Sequence, residues 1–388
     1  MELRAGGCRV RSRTSVPEDT LLIVREADLY AQLTGVKDLA RRLSDIDDRL
    51  HARVAGRLNE LVEDCETALK DVQNSVGGPP AWKKLRAAQN KIGLFSRETL
   101  AFTEGALLRR SGVDGGFCAL ADKLLDHFNH AERKLNWRGF TILAETAFFG
   151  EIGEVIRLQF PEISIWHLPV AAHEFGHYAN PAIRVEVRDG SFTGSEYPIG
   201  EFLRDKWNKI NQKPWFHAHE FMADIFAVYT LGAAYAYCVL FLQPDPGTVR
   251  AATTTHPSWN ERYFVILETL GRIVQHGGVT PQVARDVERR WESTLSASAG
   301  SSKPDVHELR KLVDFFYPLL DANLRGVRYA TFSRAQQLVS ALRSGDQLPG
   351  ATIPDILNAA WLARLYDLND DRETARIGRN ATKGCEAA

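Results

Sequence analysis

The sequence predicts a mainly α-helical chain with a small β-sheet. Three observations carry this. Apolar residues recur at steps of three and four through most of the 388 residues, period-two alternation is confined to a few short runs, and Pro, Gly and Ser punctuate the helical segments. With 44% hydrophobic and 25% charged residues, a chain of this length can bury substantial cores in two or three structural units.

Taken in order, the N-terminus carries Arg4, Arg9, Arg11 and Arg13 with no apolar stretch behind them, so it reads as a basic tail and not a secretory signal. Leu39, Leu43, Ile46, Leu50, Val54, Leu58, Leu61, Cys65, Leu69 and Val72 then form one apolar stripe. The spacing predicts a single long amphipathic helix over 36–76, ended by Gly77-Gly78-Pro79-Pro80. It suits a packed helix of an N-terminal bundle, with self-association through a coiled-coil face as the alternative. Further helices are expected at 81–92, 96–110 and 117–135.

Short strands are expected at Trp137–Leu143, at Val155–Phe160 and around Ile163–Ile165, and Ile183–Val187 alternates like one arm of a hairpin before Asp189-Gly190. Pro169 opens a helix that ends near Asn180-Pro181, since Pro is tolerated where its missing N–H has no helical partner. A long apolar helix opens after Pro214. Its Ile225–Leu242 stretch has no charge and is long enough to span a bilayer. Its Ala, Tyr, Gly and Thr content suits a buried core helix instead, so no membrane span is expected. Helices follow at 258–275, 281–296, 304–322, 333–343 and 353–366, with Ser296–Ser302 as a linker. The expected organisation is an N-terminal helical region at 1–135, a central region at 136–275 and a C-terminal helical region at 276–388.

A net charge of −1 gives no reason to expect nucleic acid as a partner. The five Cys, at 8, 65, 118, 238 and 385, are odd in number and show no C-x-x-C pair. They suit reduced thiols in a cytoplasmic protein and exclude a Cys-rich zinc site.

The chemistry concentrates at His173-Glu174-Phe175-Gly176-His177. Two imidazoles four apart on a helix project from one face and can share a metal ion, with the Glu between them at the flank. This is the zincin motif; a solvated helix that happens to carry two His is its plain alternative. Gly176 either lets a neighbouring backbone or a substrate approach the metal face closely or is a tolerated helix glycine. A metzincin would need Gly at position 180 and His at position 183, where this chain has Asn180 and Ile183. A Glu from a second helix is the remaining common third ligand. Glu220 and Asp224, four apart, face one way, so one can bind metal while the other accepts a hydrogen bond from a ligating His. His217 shares that face and is the rival ligand or a substrate contact, whereas His219 points elsewhere. His127 and His130 read as helix-surface residues.

These blocks, followed by Thr255-His256-Pro257-Ser258 and Glu261-Arg262, resemble the gluzincin family of the heat-shock membrane protease and the CAAX prenyl protease over residues 165–265. The resemblance implies a zincin-like metallopeptidase core, with His173, His177 and Glu220 as Zn2+ ligands, Glu174 as general base and Asp224 behind the ligands. It implies a zinc-dependent peptidase hydrolysing peptide bonds by a metal-activated water, acting on a protein or peptide substrate. The substrate would be one dedicated protein if the chain serves a stress or defence pathway. Those relatives span membranes several times, which is not expected here. His256 is the candidate donor for a developing oxyanion, ahead of Arg262, Tyr229 and Tyr235; Thr255-His256-Pro257 also reads as a helix cap with Pro at the first helical position. The alternative function is a helical scaffold or adaptor whose zinc site is structural.

Overall fold

The computed structural model describes residues 18–75, 78–145, 148–150, 155–187, 195–207, 213–245, 247–296, 304–366 and 368–388. The basic tail, Val76, Gly77, Asp189-Gly190 and residues 297–303 lie outside them. Within them the chain is mainly helical with two small sheets, and it divides into compact units at Met1–Thr103 and Glu104–Ala388.

The first unit contains α1 (Glu18–Ile46), α2 (Asp48–Gln73) and α3 (Gly78–Arg110) up to residue 103. The single helix expected over 36–76 is in fact two. The Asp47 carboxylate accepts the Leu50 N–H at 3.0 Å, as an N-cap does, and α2 starts afresh. Lys37 and Glu66 pair at 2.7 Å; in one straight helix residues 29 apart would lie about 44 Å from each other, so α1 and α2 fold back on one another. Periodicity missed the break because the stripe resumes in phase. Leu43, Leu50, Val54, Leu58, Leu61, Cys65, Leu69 and Val72 are all buried. Lys91 pairs with Asp64, and Lys84 donates to the Asp71 carbonyl, the crossed numbering of an antiparallel α2–α3 hairpin.

The second unit is built round α7 (Trp215–Leu231), buried at every position from Phe221 to Leu231. Against it pack α5 (Val170–Tyr178), α9 (Trp259–Val274) and α11 (Val306–Asn323). Gly232 (φ 60°) then turns the chain into α8 (Ala233–Leu242). A side chain there would meet the Tyr329 ring at 2.8 Å and the Gly278 carbonyl at 2.9 Å, so this break requires glycine. The uncharged Ile225–Leu242 stretch is thereby split, and no helix among the described residues is long and apolar enough to cross a membrane.

A three-stranded sheet holds β1 (Phe140–Ala144), β2 (Phe148–Gly150) and β3 (Val155–Gln159) in the order β1-β3-β2, with β1 parallel and β2 antiparallel to β3. α4 (Phe117–Ala131) anchors it: Asp122 accepts the Thr141 N–H at 2.9 Å and pairs with Arg109 at 2.7 Å. α5 packs beside β2 and β3. The expected hairpin arm is β4 (Arg184–Val187), antiparallel to β5 (Ser195–Pro198), and α6 (Ile199–Phe202) follows at once.

The run from residue 163 to Pro169 is a bend at 164 and a turn over 165–169, not the expected strand; Ile165 is buried there, a case in which a short apolar run does not distinguish the two. α10 (Pro281–Ser296), α12 (Phe332–Ser344) and α13 (Ile353–Tyr366) lie within a residue of expectation. α14 (Asp371–Ala387) is not among the helices expected from sequence, because its buried stripe of Ile377, Ala381 and Cys385 is mostly small residues. Its signal was polar: Asp370 accepts the N–H groups of Arg372 and Glu373.

Candidate metal centre

α5 is short because Pro169 opens it and Asn180-Pro181 ends it, yet it holds the whole His-Glu-x-x-His segment. His173 and Glu174 are each 6% exposed. α7 crosses directly over Gly176, where a Cβ would stand 2.9 Å from the Ala223 Cα; the close approach anticipated for this glycine is to backbone of α7. That crossing delivers Glu220 to the two imidazoles.

His173 Nε2 lies 3.4 Å from Glu220 Oε2, and His177 Nε2 lies 3.4 Å from Glu220 Oε1. Among the described residues these three side chains form a group whose ligand atoms all fall within 4.8 Å of one another. The edge of a tetrahedron with bonds of about 2.0–2.1 Å is about 3.3–3.4 Å, which matches these two distances, each taken to a different oxygen of Glu220. Glu220 Oε2 is buried and has no hydrogen-bond partner, which also fits a ligand atom. Burial would raise the Glu220 pKa, but His177, His173 and Arg262 hold it well below the usual carboxylate range. Burial, reinforced by His219, holds His177 well below the usual imidazole value, so it is neutral and able to ligate.

Asp224 lies behind His173, fully buried, with Oδ1 3.0 Å from His173 Nδ1. An acceptor at that distance favours the proton on Nδ1, with Nε2 toward Glu220. Burial opposes charge on His173, yet the neighbouring carboxylates of Asp224 and Glu220 prevail and lift its pKa to about 9, so His173 would give up a proton on taking an ion. Asp224 also accepts from Arg262 Nε at 2.8 Å, from Arg262 Nη2 at 2.7 Å and from the Tyr235 hydroxyl at 2.6 Å. A carboxylate removed from water needs this many donors. Against the penalty of burial, Arg262 above all holds Asp224 down to about 2. The guanidinium sits 4.2 Å over the Trp259 ring, and its Nη1 is 3.8 Å from Glu220 Oε2.

The other candidates divide. His256 is exposed on the loop before α9, with Nε2 3.7 Å from Glu220 Oε1, at the open side of the group. It does not belong to a helix cap with Pro257: the cap is Ser258, in a capping box with Glu261. His217 is buried with Nε2 3.1 Å from the Thr253 carbonyl and is not one of the grouped donors. Tyr229 hydrogen-bonds Asp321 and stands apart. Arg262 and Tyr235, considered only as oxyanion donors, instead hold Asp224.

His219, expected to point elsewhere, has its Nδ1 3.1 Å from His177 Nδ1. One residue before Glu220 on α7, it faces about 100° away, and the crossing of α5 brings His177 to meet it. No local signal in the sequence marks this pairing. Comparison of the chain with family models, with curated proteins and with solved structures finds no match.

Proposed function

We infer that this chain is a zinc-dependent peptidase of the gluzincin type, with a zincin-like core formed by α5, α7 and the small sheet. The observation that carries the reading is the 3.4 Å spacing of Glu220 from both His173 and His177, with Asp224 behind His173. His173, His177 and Glu220 would hold the ion. When bound, zinc supplies Lewis acidity, acidifying water toward neutrality and polarising a carbonyl. Glu174, which lies between the two His in sequence on α5, would take a proton from the attacking water and return it to the leaving amine. Asp224 keeps His173 in the ligating tautomer, and Arg262 offsets the charge of the two carboxylates. His256, on the exposed side, would contact the substrate carbonyl oxygen. The edge strand β2 lies beside α5, where an extended peptide substrate could add as a further strand.

The test is metal content followed by one substitution. Purified protein should carry close to one zinc per chain, lost in His173→Ala. Glu174→Gln should keep the zinc and lower cleavage of a peptide library by about 10²-fold or more. Wild-type protein that takes up no zinc sinks the reading. Unchanged cleavage in Glu174→Gln moves the base elsewhere, and zinc-loaded wild type that cleaves neither the library nor co-purifying proteins favours the scaffold with a structural site.

A further inference from the structure

His173 and His177 ligate from the same helix, yet different groups stand behind them. Behind His173 is the Asp224 carboxylate, which can only accept a proton from Nδ1. Behind His177, at 3.1 Å, is a second imidazole, Nδ1 of His219. Of two ring nitrogens at that distance one carries the hydrogen and the other does not, so the contact has two polarities. In one, His177 donates and its Nε2 lone pair points toward Glu220. In the other, His219 donates and His177 turns an N–H toward Glu220, which removes it as a ligand.

The choice is passed to Asn180, which closes α5. Its side-chain amide abuts His219 Nε2, with the amide nitrogen as the near atom and Oδ1 buried without a partner. Nitrogen and oxygen of an amide exchange by a half turn about the last side-chain bond with no change of shape. The exchange gives Oδ1 a donor, the N–H on His219 Nε2, and turns the amide N–H groups into the space that Oδ1 held. His219 Nδ1 is then a lone pair, and His177 must donate to it.

We propose that His219 and Asn180 form a neutral hydrogen-bond relay that holds His177 in its ligating tautomer, from the His177 Nδ1–H to His219 Nδ1 and from the His219 Nε2–H to Asn180 Oδ1. They are positioning residues, and the proposal rests on the metal reading above. The relay orients the second ligand without a third carboxylate. Glu220 and Asp224 already share one guanidinium, that of Arg262, and a further buried anion beside them would be costly to desolvate.

The experiment uses the full chain with 15N-labelled histidine, with His177 assigned from a His177→Gln sample. In metal-free wild type, His177 should carry its proton on Nδ1. His219→Phe keeps a ring but no acceptor; it should scramble that tautomer and weaken zinc binding, measured by chelator competition, by roughly 10- to 100-fold. His219→Asn returns an acceptor and should restore most of the affinity, which a packing role alone would not predict. A wild-type proton on His177 Nε2, or a zinc affinity unchanged in His219→Phe, overturns the relay. Wild type that binds no zinc overturns the metal reading instead, and the tautomer of the metal-free chain then decides the relay by itself.

Discussion

Gly176 shows how a single hydrogen atom sets a site. It stands in the middle of the His-Glu-x-x-His segment, and α7 passes so close that an added methyl group would lie 2.9 Å from the Ala223 Cα and 3.2 Å from its carbonyl oxygen. Helical backbone on both sides cannot yield, so Gly176→Ala must push α5 and α7 apart. Overpacking of this kind costs about 1–3 kcal/mol. The larger consequence is geometric, because the same displacement draws Glu220 away from both imidazoles. Gly176→Ala should lower the melting temperature by several degrees and weaken zinc binding more than a remote change of equal stability cost, read by calorimetry and chelator competition. Equal zinc affinity in a destabilised Gly176→Ala protein would mean that the crossing does not set the ligand spacing. The sequence left this glycine open between close approach and mere tolerance, since what faces it comes from a helix some fifty positions on.

Among the elements, α9 matters through its first turn. Ser258 accepts the Glu261 N–H at 3.3 Å, and Glu261 accepts the Ser258 N–H at 3.1 Å, fixing where Arg262 leaves the helix and meets Asp224. Glu261 also pairs with Lys213. Burial works against its charge, but the bonds to Lys213 and Ser258 outweigh it and hold the pKa below the usual carboxylate value. A carboxyl with a depressed folded pKa stabilises the fold fully above its unfolded pKa of about 4.3, and that contribution is lost as pH falls through the folded value. The stability difference between wild type and Glu261→Gln should therefore be largest near neutral pH and should close progressively below about pH 4 in urea titrations. A difference that stays constant down to the acid limit would show that the ionised carboxylate contributes nothing to the cap.

Across the whole molecule, the candidate ligands and the groups that orient them run from residue 173 to residue 262, inside the second unit. An ion bound only by the folded state stabilises by mass action, about 4 kcal/mol at a thousandfold excess over its dissociation constant. Removing zinc with a chelator should then speed amide exchange in α5, α7 and the first turn of α9 while leaving α1 and α2 unchanged. Exchange that quickens equally in both units, or in neither, would count against a metal site confined to these three helices.

The sequence by itself determined the helical class, the packed stripes and two same-face pairs of candidate ligands, His173 with His177 and Glu220 with Asp224, because each is written in spacing along one helix. Turn chemistry is local too: Asp47, where α1 gives way to α2, and Asp370, which starts α14, are cap residues of the kind a sequence shows. Only the tertiary structure decided what stands behind the ligands. His219 meets His177, Asn180 meets His219, and Arg262 and Tyr235 converge on Asp224 because α5, α7, α8 and α9 cross there. A crossing is fixed by which surfaces pack, here with Gly176 against Ala223. Periodicity along one chain segment gives the face a residue occupies, and carries nothing about which other helix that face will meet.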